Sequence, residues 1–190
     1  PVNTYTLMLT ILTAEERAKQ HKCMVERAEQ NPLRQKYDIL DSLGEGQYSV
    51  VYGAVNRETQ EKAAIKVMSR ELTGMASEKA AGNIRRELEI LKQARHPCIV
   101  SMLDYDEDST RRYIVLEYAN GGDLFEFIKA KNVLGEDESS RIFVQLLCAL
   151  RYLHKNNVVH RDLKPENVLV IDRGDSVWVT ITDFGLATVL

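Results

Sequence analysis

From Tyr37 onward the chain alternates between two textures. Short runs rich in Val, Ile and Tyr read as strands, and stretches with apolar residues three and four apart read as helices. Residues 37–43, 50–55 and 63–68 form the first three strands, parted by the turn Gly44-Glu45-Gly46 and the polar turn 56–61. A helix is expected over 75–94, ending before His96-Pro97, because the residue before a proline is pushed out of helical conformation. Strands 99–105 and 112–117 flank the acidic turn Asp106-Glu107-Asp108. Strand texture stops at Glu117, and Tyr118-Ala119-Asn120-Gly121-Gly122 reads as a hinge between domains. A short helix over 123–131 precedes a long one over 136–155, which opens with Glu136-Asp137-Glu138 at its electropositive end. Its Ile142, Phe143, Leu146, Leu147, Leu150 and Leu153 predict a broad, largely buried face. Strands 168–171 and 177–182 bracket the turn 172–176.

Residues 1–36 read as an appendage. Thr13 with Glu16 three positions on has the capping-box pattern, so a charged helix is expected from there to about Gln30, stopped by Asn31-Pro32. Its apolar positions are sparse, which favours a solvated helix or linker. Domains are therefore expected at 1–36, 37–117 and 118–190.

Composition narrows the function. A net charge of −3 argues against broad attraction to nucleic acid or an anionic membrane. No run of about 18 apolar residues is present, and the start of the chain lacks the basic residues of a signal peptide. Cys23, Cys98 and Cys148 are odd in number and lack metal-ligand spacing, which suits reduced thiols in an intracellular protein. Cys148 sits in an apolar run and is expected in the core.

The chemistry concentrates in His160-Arg161-Asp162-Leu163-Lys164-Pro165-Glu166-Asn167, a loop between two apolar runs. Asp162 suits acceptance of a hydroxyl proton, and Lys164 suits neutralisation of a phosphate oxygen. Asn167, with Asp183 of Asp183-Phe184-Gly185, suits metal ions. These are the parts of phosphoryl transfer, where positioning and charge neutralisation carry most of the catalysis. Lys66 sits among strand apolars and needs an anion. Glu87 lies three after Ile84 and four before Leu91, on their apolar face, and is its expected partner. Gly44-x-Gly46 alone reads more readily as a plain hairpin than as a phosphate cradle; a dinucleotide-binding turn would lead into a helix, and a strand follows here.

In this order, Gly44-x-Gly46 with Val51, Ala64-Ile65-Lys66, Glu87, the hinge, the octet and Asp183-Phe184-Gly185 resemble the eukaryotic protein-kinase family over residues 37–190, about four-fifths of the chain. Lys164 resembles the serine/threonine type. Asn120 to Phe125 and Ile181 to Leu186 look most like the calcium/calmodulin-dependent-kinase group, including checkpoint-kinase-like members. The resemblance implies an α+β fold: a five-stranded antiparallel N-lobe with one helix, then the first, mainly helical part of a C-lobe. It implies that Gly44, Glu45, Gly46, Gln47, Tyr48, Ser49 and Val51 cover ATP, while Leu43, Val51, Ala64 and Leu169 sandwich the adenine. Leu116 would be the gatekeeper, with Glu117 and Ala119 bonding the base through their backbones and Asp123 meeting the ribose. Lys66, held by Glu87, would contact the phosphates, Asn167 and Asp183 would hold Mg2+, and Asp162 with Lys164 would act on the acceptor. Leu91, Met102, His160 and Phe184 match a stacked hydrophobic spine.

The implied substrate is a protein serine or threonine, with Asp123 and Glu166 hinting at a basic motif. The implied setting is cytoplasmic, nuclear or both, without nucleic acid or membrane, and the oligomeric state stays open. Ser49 stands where a third glycine is frequent. The residues given end at Leu190, before the family's activation segment and central buried helix, so an exposed patch is expected on helix 136–155. That ending keeps a second reading open: a kinase-like module that binds ATP or a partner without transferring phosphate.

Overall fold

The computed structural model describes residues 32–46, 49–69, 75–174 and 176–190. The expected helix over 13–30 lies outside them, as do Gln47 and Tyr48. Along the chain stand α1 (Pro32–Lys36), β1 (Tyr37–Glu45), β2 (Ser49–Asn56), β3 (Lys62–Ser69), α2 (Met75–Gln93), β4 (Met102–Glu107) and β5 (Arg111–Glu117). They are followed by α3 (Leu124–Lys131), α4 (Glu136–Lys155), β6 (Val158–Val159), a 3-10 turn (Pro165–Asn167), β7 (Val168–Asp172), β8 (Val177–Ile181) and β9 (Thr188–Val189).

The first five strands make one antiparallel sheet in the order β1-β2-β3-β5-β4. Because paired residues share a face, the register sorts β3 cleanly. Ala64, Lys66 and Met68 point with Val51, Ile114 and Leu116 toward α2 and the lower lobe, while Ala63, Ile65 and Val67 point the other way. The main core joins α2, β5, α4 and Phe184 through Ile84, Leu91, Ile114, Leu153, Ile181 and their neighbours. A smaller cluster in the lower lobe holds Leu124, Ile142, Val168, Val170 and Val179.

Several expectations shift. Gly44 and Glu45, read as a turn, continue β1 and pair with Val51 and Val50; the turn closes beyond them, where the Gly46 amide donates to the Ser49 carbonyl at 2.7 Å. Pro32, read as a helix stop, opens α1, since proline's fixed φ and missing N–H suit a first helical position. Leu33 then seats in the sheet's cluster. β4 starts at Met102 rather than Ile99. Ile99 instead bridges Ile181 in parallel, with the Val100 amide on the Ile181 carbonyl at 3.0 Å and the Ile181 amide on the Cys98 carbonyl at 2.9 Å. This segment runs through the core, and β8 takes up its backbone groups. Asp123 caps α3 instead of belonging to it.

The apolar face of α4 is narrower than its sequence suggests. Ile142, Ala149 and Leu153 are buried, but Phe143 is 62% and Leu147 49% exposed. Cys148, expected in the core, is exposed, because it lies on the Val144 side of the helix, which none of the described elements covers. The expected exposed patch is thus present.

Candidate active site

β3 carries Lys66 into the cleft between the lobes, and α2 brings Glu87 up to it. Lys66 Nζ lies 2.6 Å from Glu87 Oε1 and 3.1 Å from Asp183 Oδ1. Glu87 is 3% exposed between Ile84 and Leu91, so its carboxylate has given up water for the ammonium. Burial opposes the charge on Lys66, but Glu87 and Asp183 outweigh it and raise its pKa above the ordinary value. Partial burial works against the Asp183 carboxylate in the same way; Lys66 and the Gly185 amide prevail and hold its pKa below normal.

The catalytic loop is set by backbone contacts. β6 pairs with β9 and delivers His160, which is 2% exposed. The Asp162 amide donates to His160 Nδ1 at 3.3 Å, so the ring proton is on Nε2, which donates to the Thr182 carbonyl at 2.9 Å. The same ring meets Phe184 edge-on at 5.0 Å, and Leu91, Phe184 and Met102 share the main core. Asn167 Nδ2 donates to both the carbonyl and Oδ2 of Asp162, at 2.8 and 3.0 Å. Lys164 Nζ reaches Asp162 Oδ2 at 3.2 Å. The Thr182 amide donates to the Asn167 carbonyl at 3.0 Å, fixing Asp183 beside the loop. Two of these residues sit in left-handed backbone, Arg161 at φ 64° and Asp183 at φ 59°. Side-chain-bearing residues adopt that conformation only where their surroundings impose it; here Arg161 Nε donates to the Leu186 carbonyl at 2.7 Å. Gly185 has its own reason: a Cβ there would stand 3.3 Å from Asp183 Oδ1.

The remaining expected residues line up around this centre. Leu43, Gly44, Glu45 and Gly46 are exposed along the β1–β2 hairpin, while Ser49 and Val51 are half-buried. Ala64 and Leu169 are half-buried and Leu116 is buried. Glu117 joins β5 to the hinge, its Oε1 accepting the Ser101 amide at 3.0 Å, and Ala119 follows half-buried. Asp123 is partly committed elsewhere: Oδ1 accepts the Glu126 amide at 2.9 Å as the α3 cap. Glu166 is exposed on the 3-10 turn.

The sequence offered no sign of the strap behind the hinge. Asn120 Nδ2 donates to the Asp172 carbonyl at 2.9 Å, and its Oδ1 accepts the Asp172 amide at 2.8 Å. Gly121 presses on β7 so closely that a Cβ would lie 2.8 Å from Val170 Cγ1, and Gly122 has φ 72°. Asn-Gly-Gly signals only a turn; the partner strand lies some fifty residues on.

The donor set suits a hard divalent cation. Asn167 spends its amide nitrogen on Asp162, leaving Oδ1 as an oxygen donor, and its carbonyl takes the amide of Thr182, next in sequence to Asp183. No cluster of three or more His, Cys, Asp or Glu side chains is arranged for a metal among the described residues. Two protein oxygens, with the rest from water or phosphate, is the pattern magnesium favours.

A curled antiparallel sheet over a helical base, with a Lys–Glu–Asp ion set in the cleft, defines an α+β protein of kinase-like architecture. The protein kinase domain model matches residues 37–190, and the chain belongs to that family. A probable serine/threonine-protein kinase, fhkD, of Dictyostelium discoideum is 41% identical over 160 residues, covering 83% of this chain and 21% of that protein. Serine/threonine-protein kinase RAD53 of Saccharomyces cerevisiae is 40% identical over 157 residues, covering 80% of this chain and 18% of the relative. Myosin light chain kinase A of Dictyostelium discoideum is 36% identical over 154 residues, covering 81% and 51%. The chain thus spans from 18% to 51% of these relatives' lengths. No helix among the described residues is long and apolar enough to cross a membrane.

Proposed function

We propose that this chain carries the nucleotide-binding and catalytic-loop portion of an ATP-dependent serine/threonine protein kinase. The observation that carries the reading is Lys66 held between Glu87 and Asp183, at 2.6 and 3.1 Å, in one cleft with the Asp162–Asn167 pair. Lys66 orients the nucleotide's phosphates, and Glu87 keeps its ammonium forward. Asn167 Oδ1 and the Asp183 carboxylate hold Mg2+, which when bound neutralises charge on the phosphate oxygens. Asp162 accepts the proton of the incoming hydroxyl through Oδ1, because Oδ2 is occupied by Asn167 and Lys164. Lys164 then moves its charge from Asp162 to the transferred phosphate. The hairpin from Gly44 to Val51, Gln47 and Tyr48 included, covers the nucleotide, with Leu43, Ala64, Leu116, Glu117, Ala119 and Leu169 around the base and Asp123 at the ribose. Asp123 and Glu166 favour a basic residue near the target serine or threonine. Use of ATP and the free thiols Cys98 and Cys148 suit an intracellular setting, cytoplasmic or nuclear.

The exposed apolar side chains Phe143, Val144 and Leu147 on α4 suit a protein partner and favour a second reading, in which this stretch binds nucleotide or a partner but transfers nothing. The chain is incubated with γ-labelled Mg-ATP and a serine/threonine peptide library, beside an Asp162→Ala control. Label on peptide that vanishes in the control supports transfer. ATP binding without label supports the binding module, and absence of ATP binding sinks transfer and nucleotide binding alike.

A further inference from the structure

β7 and β8 pair as a two-stranded hairpin, and both residues proposed to hold the metal hang from it. Asn167 immediately precedes β7, and Asp183 follows Ile181, the last residue of β8, by two positions. The way this hairpin is held therefore sets where Asn167 Oδ1 and the Asp183 carboxylate stand. A two-stranded sheet has two edges whose backbone groups need partners. The hinge takes the β7 edge: Asn120 bonds Asp172, the Gly121 amide donates to the Val170 carbonyl at 2.9 Å, and the Val170 amide donates to the Gly122 carbonyl at 2.8 Å. On the β8 edge, Ile181 is taken by Cys98 and Val100.

Further along that edge the partner is a side chain. Gln145 of α4 donates from Nε2 to the Val177 carbonyl at 3.1 Å and to the Arg141 carbonyl at 3.3 Å, and its Oε1 accepts the Val179 amide at 3.0 Å. A side-chain amide offers a donor and an acceptor as a peptide group does, so Gln145 stands in for a third strand. These bonds also fix its orientation, because Oε1 must face the Val179 N–H and Nε2 the two carbonyls. Gln145 comes three residues after Ile142 and four before Ala149, both buried, so it lies on the face of α4 turned to the core. A leucine would fill such a position; what the glutamine adds is its grip on the β8 backbone.

We infer, resting on the nucleotide–magnesium reading of the cleft, that Gln145 is a positioning residue for Asp183. Val177 and Val179 lie six and four residues before Asp183 on the strand that leads to it, so tying them to α4 fixes the direction in which β8 delivers the carboxylate. The same helix runs on through β6 to His160 and Asp162. α4 thus gives the metal-binding hairpin and the proton-accepting loop a common reference. Without the Gln145 amide, the Val177 carbonyl and the Val179 amide lose their partners. β8 is then held, apart from β7, at Ile181, and Asp183 gains a range of positions of which few suit a metal ion.

Calorimetric titration of ATP, with and without magnesium, is run on Gln145→Met, which keeps the length and apolar bulk of the side chain without its bonds. Groups that orient a metal ligand are worth about tenfold or more in metal affinity. Gln145 acts one step further out, so the gain in ATP affinity that magnesium brings is expected to shrink by about threefold or more. ATP affinity without magnesium stays within about twofold, because Glu87 holds Lys66 from the upper lobe. Ile142→Val, a trim of the neighbouring core, controls for plain loss of stability and leaves the magnesium gain unchanged. Should Gln145→Met lose its cooperative melt, Gln145→Glu takes its place: its carboxylate still accepts the Val179 amide but repels the Val177 carbonyl, and the same split between the two titrations is expected. An undiminished magnesium gain in the variant overturns the role given to Gln145 and leaves the site reading standing. So does a fall in ATP affinity that is equal with and without magnesium, or a gain that Ile142→Val lowers as much. No magnesium gain in the unaltered chain overturns that role and the site reading together.

Discussion

Two ion pairs face the cleft, one from each lobe, and they are built differently. In the upper lobe the Lys66 and Glu87 side chains are 12% and 4% exposed. In the lower lobe the Lys164 and Asp162 side chains are 47% and 31% exposed. A buried pair holds its partner in place and is costly to break, whereas a solvated pair adds little stability and leaves its members free to exchange partners. The first arrangement suits a group that orients a ligand. The second suits groups that must take up a proton and shift toward a phosphate. Asp183 belongs to both sides: it reaches Lys66 from the lower lobe while its chain neighbour Thr182 is bonded to Asn167.

Substitutions test the contrast. The largest effect is expected from Lys66→Met, which strands the Glu87 carboxylate among Ile84 and Leu91. Phosphotransfer falls at least about 1,000-fold, and denaturant titration shows a loss of about 3 kcal/mol. Asp162→Ala removes a comparable share of transfer, about 1,000-fold, yet shifts the melting temperature by less than about 2 °C, because Asn167 keeps its bond to the Asp162 carbonyl. Equal destabilisation by the two variants would erase the distinction between the pairs.

The hinge joins the two regions and predicts a third, smaller effect. Gly121→Ala pushes a Cβ into Val170, whose carbonyl is only 2.9 Å from that position. About 1–3 kcal/mol of stability is expected to go, with Mg-ATP affinity falling alongside it, since the strap sets how the lobes face each other. A melting curve with and without Mg-ATP measures both. The smallest effect lies farthest from the cleft. Partial burial pushes the Asp108 carboxyl up, but hydrogen bonds from Tyr113, Thr110 and Arg111 bring its pKa down to about 2 from the model-peptide value of 3.8. A depressed folded value stabilises above the unfolded one and is lost as pH falls through the folded one. The melting temperature therefore declines between pH 3.8 and about 2, and Asp108→Asn flattens that decline without altering Mg-ATP binding.

What the sequence made legible follows from what is local. Short runs rich in Val, Ile and Tyr between turns placed β2, β3 and β5 to within a residue or so of their observed ends, and the 3.6 period put Glu87 on the buried side of α2. The octet declared its chemistry because its members lie within a few positions of one another. Features made by distant partners stayed hidden. Ile99 has strand texture, but Ile181, far along the chain, takes its pairing. Cys148 has apolar neighbours in sequence and none of the described elements over its side of α4 in space. Asn120 looks like any turn residue until Asp172 is beside it.

The central claim is that Lys66, Asn167 and Asp183 serve one nucleotide–magnesium site. Calorimetric titration of ATP into the chain, with and without magnesium, tests it directly when repeated on Asp183→Asn. The account predicts that magnesium tightens ATP binding to the unaltered chain by about tenfold or more, and that Asp183→Asn abolishes this gain. An undiminished magnesium effect in Asp183→Asn would contradict it.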